Sequence, residues 1–261
     1  MSNEVEQMMA GCDVCGCYRH DQRKERLIST PLPQLPWKRV AADLFELQGD
    51  HYLLVADYYS RFLEVRKLSS IRAVNFIQAF KGIFSCHGIP IEVFSDNGPR
   101  FVSAEFQKFA TAYGFHHRTP SPLHPQGNGL VERSVQTIKS LMTKAKSSGK
   151  DFFLAPLAYR TAPHETTGVS LAHLLMGRRL RTTLPSLPGV LAPEVARRGT
   201  VQETGERSKQ QQRKYYDQRT GAQPLRQVDI YDRVLVWDIN TQTWRIPATV
   251  IQQFHGRSFH V

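Results

Sequence analysis

Three carboxylates, Asp43, Asp96 and Glu132, could bind divalent metal ions if the fold brought them together. Asp43 interrupts one apolar stretch and Asp96 closes another. A charge on a strand that is covered on both faces is costly unless it is paired or bound to a metal. Carboxylate oxygens favour Mg²⁺ or Mn²⁺. Two such ions about 3.5–4 Å apart can activate a water or hydroxyl and stabilise the leaving oxygen of a phosphodiester.

Glu132 lies in the first turn of a predicted helix that continues to about Lys146. Apolar residues at helical spacing predict one buried stripe, formed by Val131, Val135, Ile138, Met142 and Ala145. The same spacing one position along gives a polar stripe, formed by Glu132, Gln136, Lys139, Thr143 and Lys146. A carboxylate in a first turn also suits the helix dipole without any catalytic role. Glu132 alone therefore does not indicate a function.

The order of the elements is what would position the carboxylates. Apolar runs and turn residues predict three strands, then a helix, and two further strand–helix pairs, over residues 39–47, 51–59, 62–68, 73–88, 91–96, 103–113, 114–119 and 129–146. This order predicts an α/β fold in which helices flank a mixed five-stranded sheet. In many such sheets the first and fourth strands are neighbours, which would bring Asp43 and Asp96 together. The helix after the fifth strand would add Glu132.

The charge balance indicates the class of partner. The chain has 34 Lys and Arg against 23 Asp and Glu, a formal net charge of +11. This excess favours a polyanionic partner, most simply nucleic acid. No apolar run approaches the roughly 20 residues that cross a bilayer, so we expect no membrane partner. The first residues do not have the pattern of a secretory signal, and the four cysteines do not suggest a disulfide framework.

The two ends of the chain are less informative. Cys12 and Cys15 have the spacing of zinc ligands, but a tetrahedral site needs four, and Cys17 and His20 are awkwardly spaced. Zn²⁺ is therefore doubtful, and free thiols are the alternative. A polar stretch over residues 194–219 predicts a solvated linker helix. Alternation over residues 228–261 predicts a small antiparallel barrel or sheet that is incomplete.

The sequence around the carboxylates resembles a known family. Asp96 and Glu132 are separated by 35 residues, and the surrounding segments are AADLFEL, DYYSRFLEV, HGIPIEVFSDNGPRF and SPLHPQGNGLVERSVQTIKSL. Together they resemble the integrases of retroviruses and LTR retrotransposons. The continuation LAYRTAPHETTGVSLAHLLMGRRLRT is similar to the gypsy-type members. The resemblance covers nearly the whole chain and would also fit a gene derived from a transposon.

This resemblance implies an RNase H-like core and a set of site residues. The metal-binding and catalytic residues would be Asp43, Asp96 and Glu132, holding two Mg²⁺ or Mn²⁺ ions. The DNA-binding residues would be Gln126, Asn128, Arg133, Gln136 and Lys139. Gln126 and Asn128 would lie in a mobile active-site loop, and Lys139 would meet the phosphates of the element's DNA end. From the residues alone, Arg133 is equally compatible with a structural role.

The resemblance also implies four segments. They are a truncated remnant of an N-terminal zinc-binding domain with its linker, the catalytic core, a linker helix and a partial C-terminal DNA-binding β-barrel, at residues 1–36, 37–190, 191–225 and 226–261. Cys12 and Cys15 match the second ligand pair of the family's zinc module, whereas its two histidines are absent. We therefore expect the zinc module to be broken.

The implied function is metal-dependent 3′-end processing and strand transfer, which joins element DNA to target DNA. Its partners would be double-stranded DNA and further copies of the chain, and its location the nucleus, with the cytoplasm also open. One alternative is a ribonuclease of the RNase H kind, which normally has a further carboxylate on the helix after the third strand. No Asp or Glu lies between Glu64 and Glu92. The other alternative is a domesticated, catalytically idle integrase that binds DNA or protein.

Overall fold

A computed structural model describes residues 3–10, 12–18, 31–120, 129–164, 167–193, 198–222, 227–238, 240–254 and 259–261. The chain divides into two compact units, which are described separately. One unit is formed by residues 31–208, and the other by residues 1–30 together with 209–261. In the described ranges, no helix combines the length and the apolar character that crossing a membrane requires.

The larger unit is built on a mixed five-stranded sheet in the order β3-β2-β1-β4-β5. Its strands are β1 Arg39–Leu47, β2 Asp50–Asp57, β3 Leu63–Leu68, β4 Glu92–Phe94 and β5 His116–Arg118. The first three strands are antiparallel, while β4 pairs in parallel with both β1 and β5. The predicted five-stranded sheet flanked by helices and the pairing of the first and fourth strands are therefore confirmed.

The predicted extent of the fourth strand, residues 91–96, is wrong by two residues at its end. β4 ends at Phe94, and Asp96 lies beyond it in a turn. The amide of Gly98 donates to Asp96 Oδ1 at 3.0 Å, a local bond that takes the place of further strand pairing. Asp96 is consequently exposed at the strand end and is not buried within the sheet.

Three helices of the larger unit pack against its sheet. They are α3 Ala73–His87, α4 Ala104–Tyr113 and α5 Gly129–Ser147, and the same unit contains α6 Leu154–Thr161 and α7 Leu171–Met176. The other described helices are α1 Asn3–Ala10, α2 Asp13–Cys17 and α8 Arg198–Thr220. Ser103 Oγ accepts a hydrogen bond from the Phe106 amide at 3.2 Å and caps α4. Ser170 caps α7 in the same way through the His173 amide.

Two apolar cores lie on the two faces of the sheet. On one face α3, α4 and the segments that flank α4 contribute a cluster of phenylalanines: Phe76, Phe80, Phe84, Phe101, Phe106, Phe109 and Phe115. On the other face α5 packs on β1 and β2 through Val131, Ile138 and Met142. Ala41 and Phe45 of β1 belong to this second core. Because strand side chains alternate between faces, Asp43 lies on the α5 side of the sheet.

A fully buried carboxylate closes the turn after β2. Asp57 accepts hydrogen bonds from the Trp37 amide at 3.0 Å, the Ser60 amide at 2.9 Å and Ser60 Oγ at 2.6 Å. Buried donors that lose their acceptor have no water to replace it. The carboxylate therefore holds the chain before β1 against the turn that leads to β3.

Asp57→Ala is expected to lower the free energy of unfolding by about 2–4 kcal/mol, because it leaves three buried donors without an acceptor. Urea denaturation followed by circular dichroism measures the loss. Asp50→Ala is the matched control at the other end of β2, where an exposed carboxylate contacts Lys67 Nζ at 2.7 Å. It should cost under about 1 kcal/mol. Equal losses in the two variants would contradict a structural role for Asp57.

The smaller unit contains two short sheets. β6 Arg233–Asp238 pairs antiparallel with β7 Thr243–Thr249, and β8 Gln252–Gln253 pairs with β9 Phe259–His260. The rings of Trp237 and Trp244 lie 5.2 Å apart between β6 and β7. The described residues do not join these four strands into one sheet, so the partial C-terminal barrel stays a prediction.

Candidate active site

Two of the carboxylates lie just past the paired part of two neighbouring parallel strands. Ala41 of β1 is opposite Phe94 of β4, where the pairing ends. Asp43 and Asp96 each lie two residues further along the chain, and the charge of Asp96 acts on Asp43. Ala41 and Phe94 pack on the α5 side of the sheet, and Asp43 shares that face because strand side chains alternate. The two carboxylates therefore lie near the point where β1 and β4 separate.

The ionisation of Asp43 shows that the third carboxylate is also near. The pKa of the half-buried Asp43 side chain is raised to about 6. Burial is the largest cause, and the negative charges of Asp96 and Glu132 act in the same direction. The Leu44 amide, which donates to Asp43 Oδ1 at 2.7 Å, and the Lys139 ammonium act in the opposite direction. The three predicted carboxylates thus form one electrostatic cluster around Asp43.

Helix α5 supplies Glu132 and Lys139 from one side of the cluster. Its buried stripe is Val131, Ser134, Ile138, Met142 and Ala145, and Val135 is only half-buried. The predicted stripe is therefore confirmed, with Val135 packed against the core although only half-buried. The buried Ser134 next to it donates its hydroxyl to the Leu130 carbonyl at 2.8 Å. Glu132 is exposed in the first turn. The half-buried Lys139 lies two turns along, with Nζ 5.6 Å from the centre of the Phe45 ring.

The remaining predicted site residues are less well placed or fall outside the described ranges. Arg133 and Gln136 are exposed on α5 beside the cluster. Gln126 and Asn128 lie outside the described residues, so their place in an active-site loop stays a prediction. Cys12 and Cys15 are not joined in a disulfide, and a hydrogen bond between them raises the pKa of Cys15. Zinc binding there also stays a prediction.

The donor set of the cluster fits a divalent cation. Across the described residues, Asp43, Asp96 and Glu132 form no ion pair with Lys, Arg or His. Their negative charges are thus left to one another and to the neighbouring Lys139. The same ranges contain no group of three or more His, Cys, Asp or Glu side chains already arranged to hold a metal ion. The residue types fit Mg²⁺ or Mn²⁺, and binding would require the carboxylates to move closer together.

Comparisons with known proteins identify the larger unit. Residues 35–125, which include Asp43 and Asp96, match the family model described as the integrase core domain. The chain contains an integrase core domain. The resemblance to retroviral and retrotransposon integrases is therefore confirmed.

Two relatives illustrate how far the sequence similarity of the integrase core extends. An uncharacterized protein of Caenorhabditis elegans, K02A2.6, is 33% identical over 195 residues, which cover 72% of this chain and 15% of that protein. The Gag-Pro-Pol polyprotein of sheep pulmonary adenomatosis virus is 34% identical over 115 residues, covering 44% of this chain and 6% of the polyprotein. The chain therefore spans only a small part of each of these relatives.

A solved structure shows the same fold. The integrase in the intasome of simian T-cell lymphotropic virus, which was solved in complex with the PP2A regulatory subunit B56 gamma, superposes with a TM-score of 0.64. The match covers 96% of this chain and 81% of that chain at 18% identity. At this identity the likeness establishes the RNase H-like integrase fold and nothing about the chemistry of this chain.

Sequence reasoning missed the residues that support the carboxylates. Ser95, between β4 and Asp96, is completely buried, and His117 of β5 is hydrogen-bonded to it. Asp57 was missed as well, although it ends an apolar strand just as Asp96 follows one. The sequence feature that could have indicated these residues is the presence of polar residues at the ends of two strands that lie side by side. That signal can be used only once the strand order is known.

Proposed function

We propose that this integrase core is a polynucleotidyl transferase that carries out 3′-end processing and strand transfer. The observation that supports it most is the cluster in which the negative charges of Asp96 and Glu132 both act on Asp43. Asp43, Asp96 and Glu132 would hold two Mg²⁺ or Mn²⁺ ions. Those ions would activate the attacking water or hydroxyl and stabilise the leaving oxygen of a phosphodiester.

The residues around the cluster suit a DNA substrate. Lys139 keeps its ammonium group near the carboxylates and over the Phe45 ring. Gln136 lies on the same surface of α5, and the exposed Arg133 lies on a neighbouring one. With a chain charge of +11, these groups would bind the phosphates of an element's DNA end and of target DNA. The reaction would join two DNA molecules in the nucleus, and several copies of the chain would take part in it.

A ribonuclease of the RNase H kind is a weaker reading of the same fold. The further carboxylate of such enzymes would lie on α3, the helix that follows β3. Helix α3 has the sequence AVNFIQAFKGIFSCH and contains neither Asp nor Glu. A ribonuclease would therefore have to bind its metal ions through the three carboxylates of the cluster alone, as the proposed transferase would.

The direct test is resolution of a branched DNA that mimics the strand-transfer product, with Mn²⁺ and then with Mg²⁺. This substrate already contains the joint, so it demands less of the segments beyond the core. We expect metal-dependent release of the joined strand by the full chain, lost with EDTA and in Glu132→Gln. A folded chain that binds Mg²⁺ but does not release the strand would favour the idle, domesticated integrase that binds DNA or protein.

Lys139→Gln is expected to weaken DNA binding by a similar factor for all sequences and to reduce the slope of log affinity against log salt by about 1. The substitution removes one phosphate contact and keeps a side chain of similar length. Fluorescence anisotropy of a labelled duplex in EDTA separates this effect from metal binding. Lys144→Gln is the control, because Lys144 is exposed about 140° around α5 from Lys139. Equal effects in both variants would show that only overall charge matters.

A further inference from the structure

A chain of hydrogen bonds leads from α4 through β5 to the main chain of Asp96. Gln107 Nε2 lies 3.4 Å from His117 Nδ1, and His117 Nε2 lies 2.8 Å from Ser95 Oγ. Ser95 Oγ in turn donates to the carbonyl oxygen of Asp96 at 2.9 Å. Ser95 is fully buried, so water does not replace the contacts of its hydroxyl, whereas Gln107 is exposed at the other end of the chain.

The donors and acceptors of this chain can be assigned in one direction. The Gln107 amide donates to Nδ1 of His117, which leaves the imidazole hydrogen on Nε2. His117 Nε2 then donates to Ser95 Oγ, whose own hydrogen goes to the Asp96 carbonyl. A neutral imidazole with its hydrogen on Nε2 therefore satisfies every contact. With the Gln107 amide oriented as in the structure, the opposite tautomer would place two donors, Gln107 Nε2 and Nδ1–H, against each other.

Packing fixes the imidazole in this position. The Phe106 ring meets His117 edge-on with centroids 5.0 Å apart, and the Phe101 ring is nearly parallel to it at 6.1 Å. Both phenylalanines belong to the core between the sheet and helices α3 and α4. The position of His117 is thus determined by the core on one side of the sheet, while the carboxylate cluster lies on the other.

Asp96 needs such support because strand pairing ends before it. The Ser95 amide donates to the Arg118 carbonyl at 3.0 Å, in line with the pairing of β4 and β5. On the other side of Asp96, Asn97 Nδ2 donates to the Pro120 carbonyl at 3.0 Å. The residues before and after Asp96 are therefore both attached to the end of β5. These ties oppose the repulsion between Asp96 and its carboxylate neighbours.

We infer that His117 is a positioning residue, which fixes the main chain of Asp96 through Ser95 and thereby sets the affinity of the carboxylate cluster for a divalent cation. The inference rests on the proposed function, because it assumes that the cluster binds Mg²⁺. His117 does not touch the ion and has no role in the chemical step. Residues that orient metal ligands in this way typically contribute 10–100-fold to metal affinity.

The test compares two substitutions of His117, one that keeps its aromatic ring and one that keeps a hydrogen-bond donor. His117→Phe keeps an aromatic ring between Phe101 and Phe106 but removes the donor to Ser95. His117→Gln loses the ring but can place an amide N–H near the former position of Nε2. Titration calorimetry of the full chain with Mg²⁺ should show at least about 10-fold weaker binding for His117→Phe. We expect His117→Gln to recover most of that loss, and His116→Phe, at the exposed neighbouring position, to match the wild type.

Separate outcomes would overturn the inference and the proposed function. A folded His117→Phe variant with wild-type Mg²⁺ affinity would overturn the positioning role alone, and so would equal losses in the Phe and Gln variants. Wild-type protein that binds no Mg²⁺ would overturn the proposed function, and the inference with it. If His117→Phe does not fold, Ser95→Ala takes its place and should show the same loss of affinity.

A spectroscopic measurement tests the hydrogen-bond chain without any metal. ¹⁵N NMR of the wild-type protein labelled at histidine should show His117 as a neutral imidazole with its hydrogen on Nε2. Ser95→Ala should weaken that preference, because Nε2 loses its acceptor. A hydrogen on Nδ1 in the wild type would overturn the inference, since Ser95 would then have no donor from His117.

Discussion

Asp43→Asn is expected to stabilise the metal-free protein while it abolishes turnover. The pKa of Asp43 is raised to about 6 by burial and by the charges of Asp96 and Glu132, so the ionised side chain opposes folding at neutral pH. An amide of the same shape removes that charge. It also removes a ligand of the proposed metal ions, which supply several kcal/mol of transition-state stabilisation. The expected loss of turnover is roughly 10³-fold or more.

The stabilisation should appear only in a defined pH range. Below about pH 4 the carboxyl is protonated in the folded and the unfolded chain, so Asn and Asp should be equivalent. Between about pH 4 and pH 6 the unfolded chain ionises first, and the wild type loses stability as pH rises. Above pH 6 the difference is constant. Because Asp43 is only half-buried, solvent screening reduces the gain to on the order of 1 kcal/mol.

Urea denaturation at pH 4 and pH 7.5, with and without Mg²⁺, measures these effects. In EDTA at pH 7.5 the Asn variant should unfold at higher urea than the wild type. Saturating Mg²⁺ should stabilise the wild type by mass action and leave Asp43→Asn unchanged. The two proteins should therefore change order when Mg²⁺ is added. A variant that is less stable than the wild type in EDTA would show that the Asp43 charge does not oppose folding.

The sequence predicted the carboxylate cluster because its residues interrupt regular patterns. Asp43 breaks an apolar strand, and Glu132 lies beside the buried stripe of an amphipathic helix. Alternation and helical spacing are local properties, which is why the bounds of β1 and α5 could be predicted closely. The order of the elements predicted that the first and fourth strands are neighbours, and the spacing from Asp96 to Glu132 together with the surrounding segments indicated the family.

Contacts between distant segments could not be predicted in the same way. His117 and Ser95 are 22 residues apart and meet because β5 lies beside β4, and the core packing of His117 depends on α4. Local patterns also extended β4 to Asp96, since IEVFSD alternates like a strand, whereas pairing stops at Phe94. Where a strand ends depends on which partner groups remain beside it, and one sequence does not contain that information.

Mg²⁺ binding is expected to weaken steeply below pH 6. A carboxyl must lose its proton before it binds a metal ion, and in the metal-free protein the pKa of Asp43 is about 6. Well above pH 6 the affinity should be nearly constant. Below pH 6 it should fall by up to about tenfold for each pH unit, since each unit lowers the ionised fraction by that factor.

Proton release gives an independent measure of the same linkage. At pH 6 about half of the Asp43 side chains are protonated, so filling the site with Mg²⁺ should release about half a proton in total. At pH 8 the release should be near zero. Calorimetric titrations in two buffers with different ionisation enthalpies measure this number directly. The Glu92 carboxylate, held by Arg39 at 2.7 Å and by Arg118 at 3.4 Å, is a control, and Glu92→Gln should not alter proton release. Affinity independent of pH from 5 to 8 would mean that Asp43 is ionised throughout and that its neighbours do not oppose its charge.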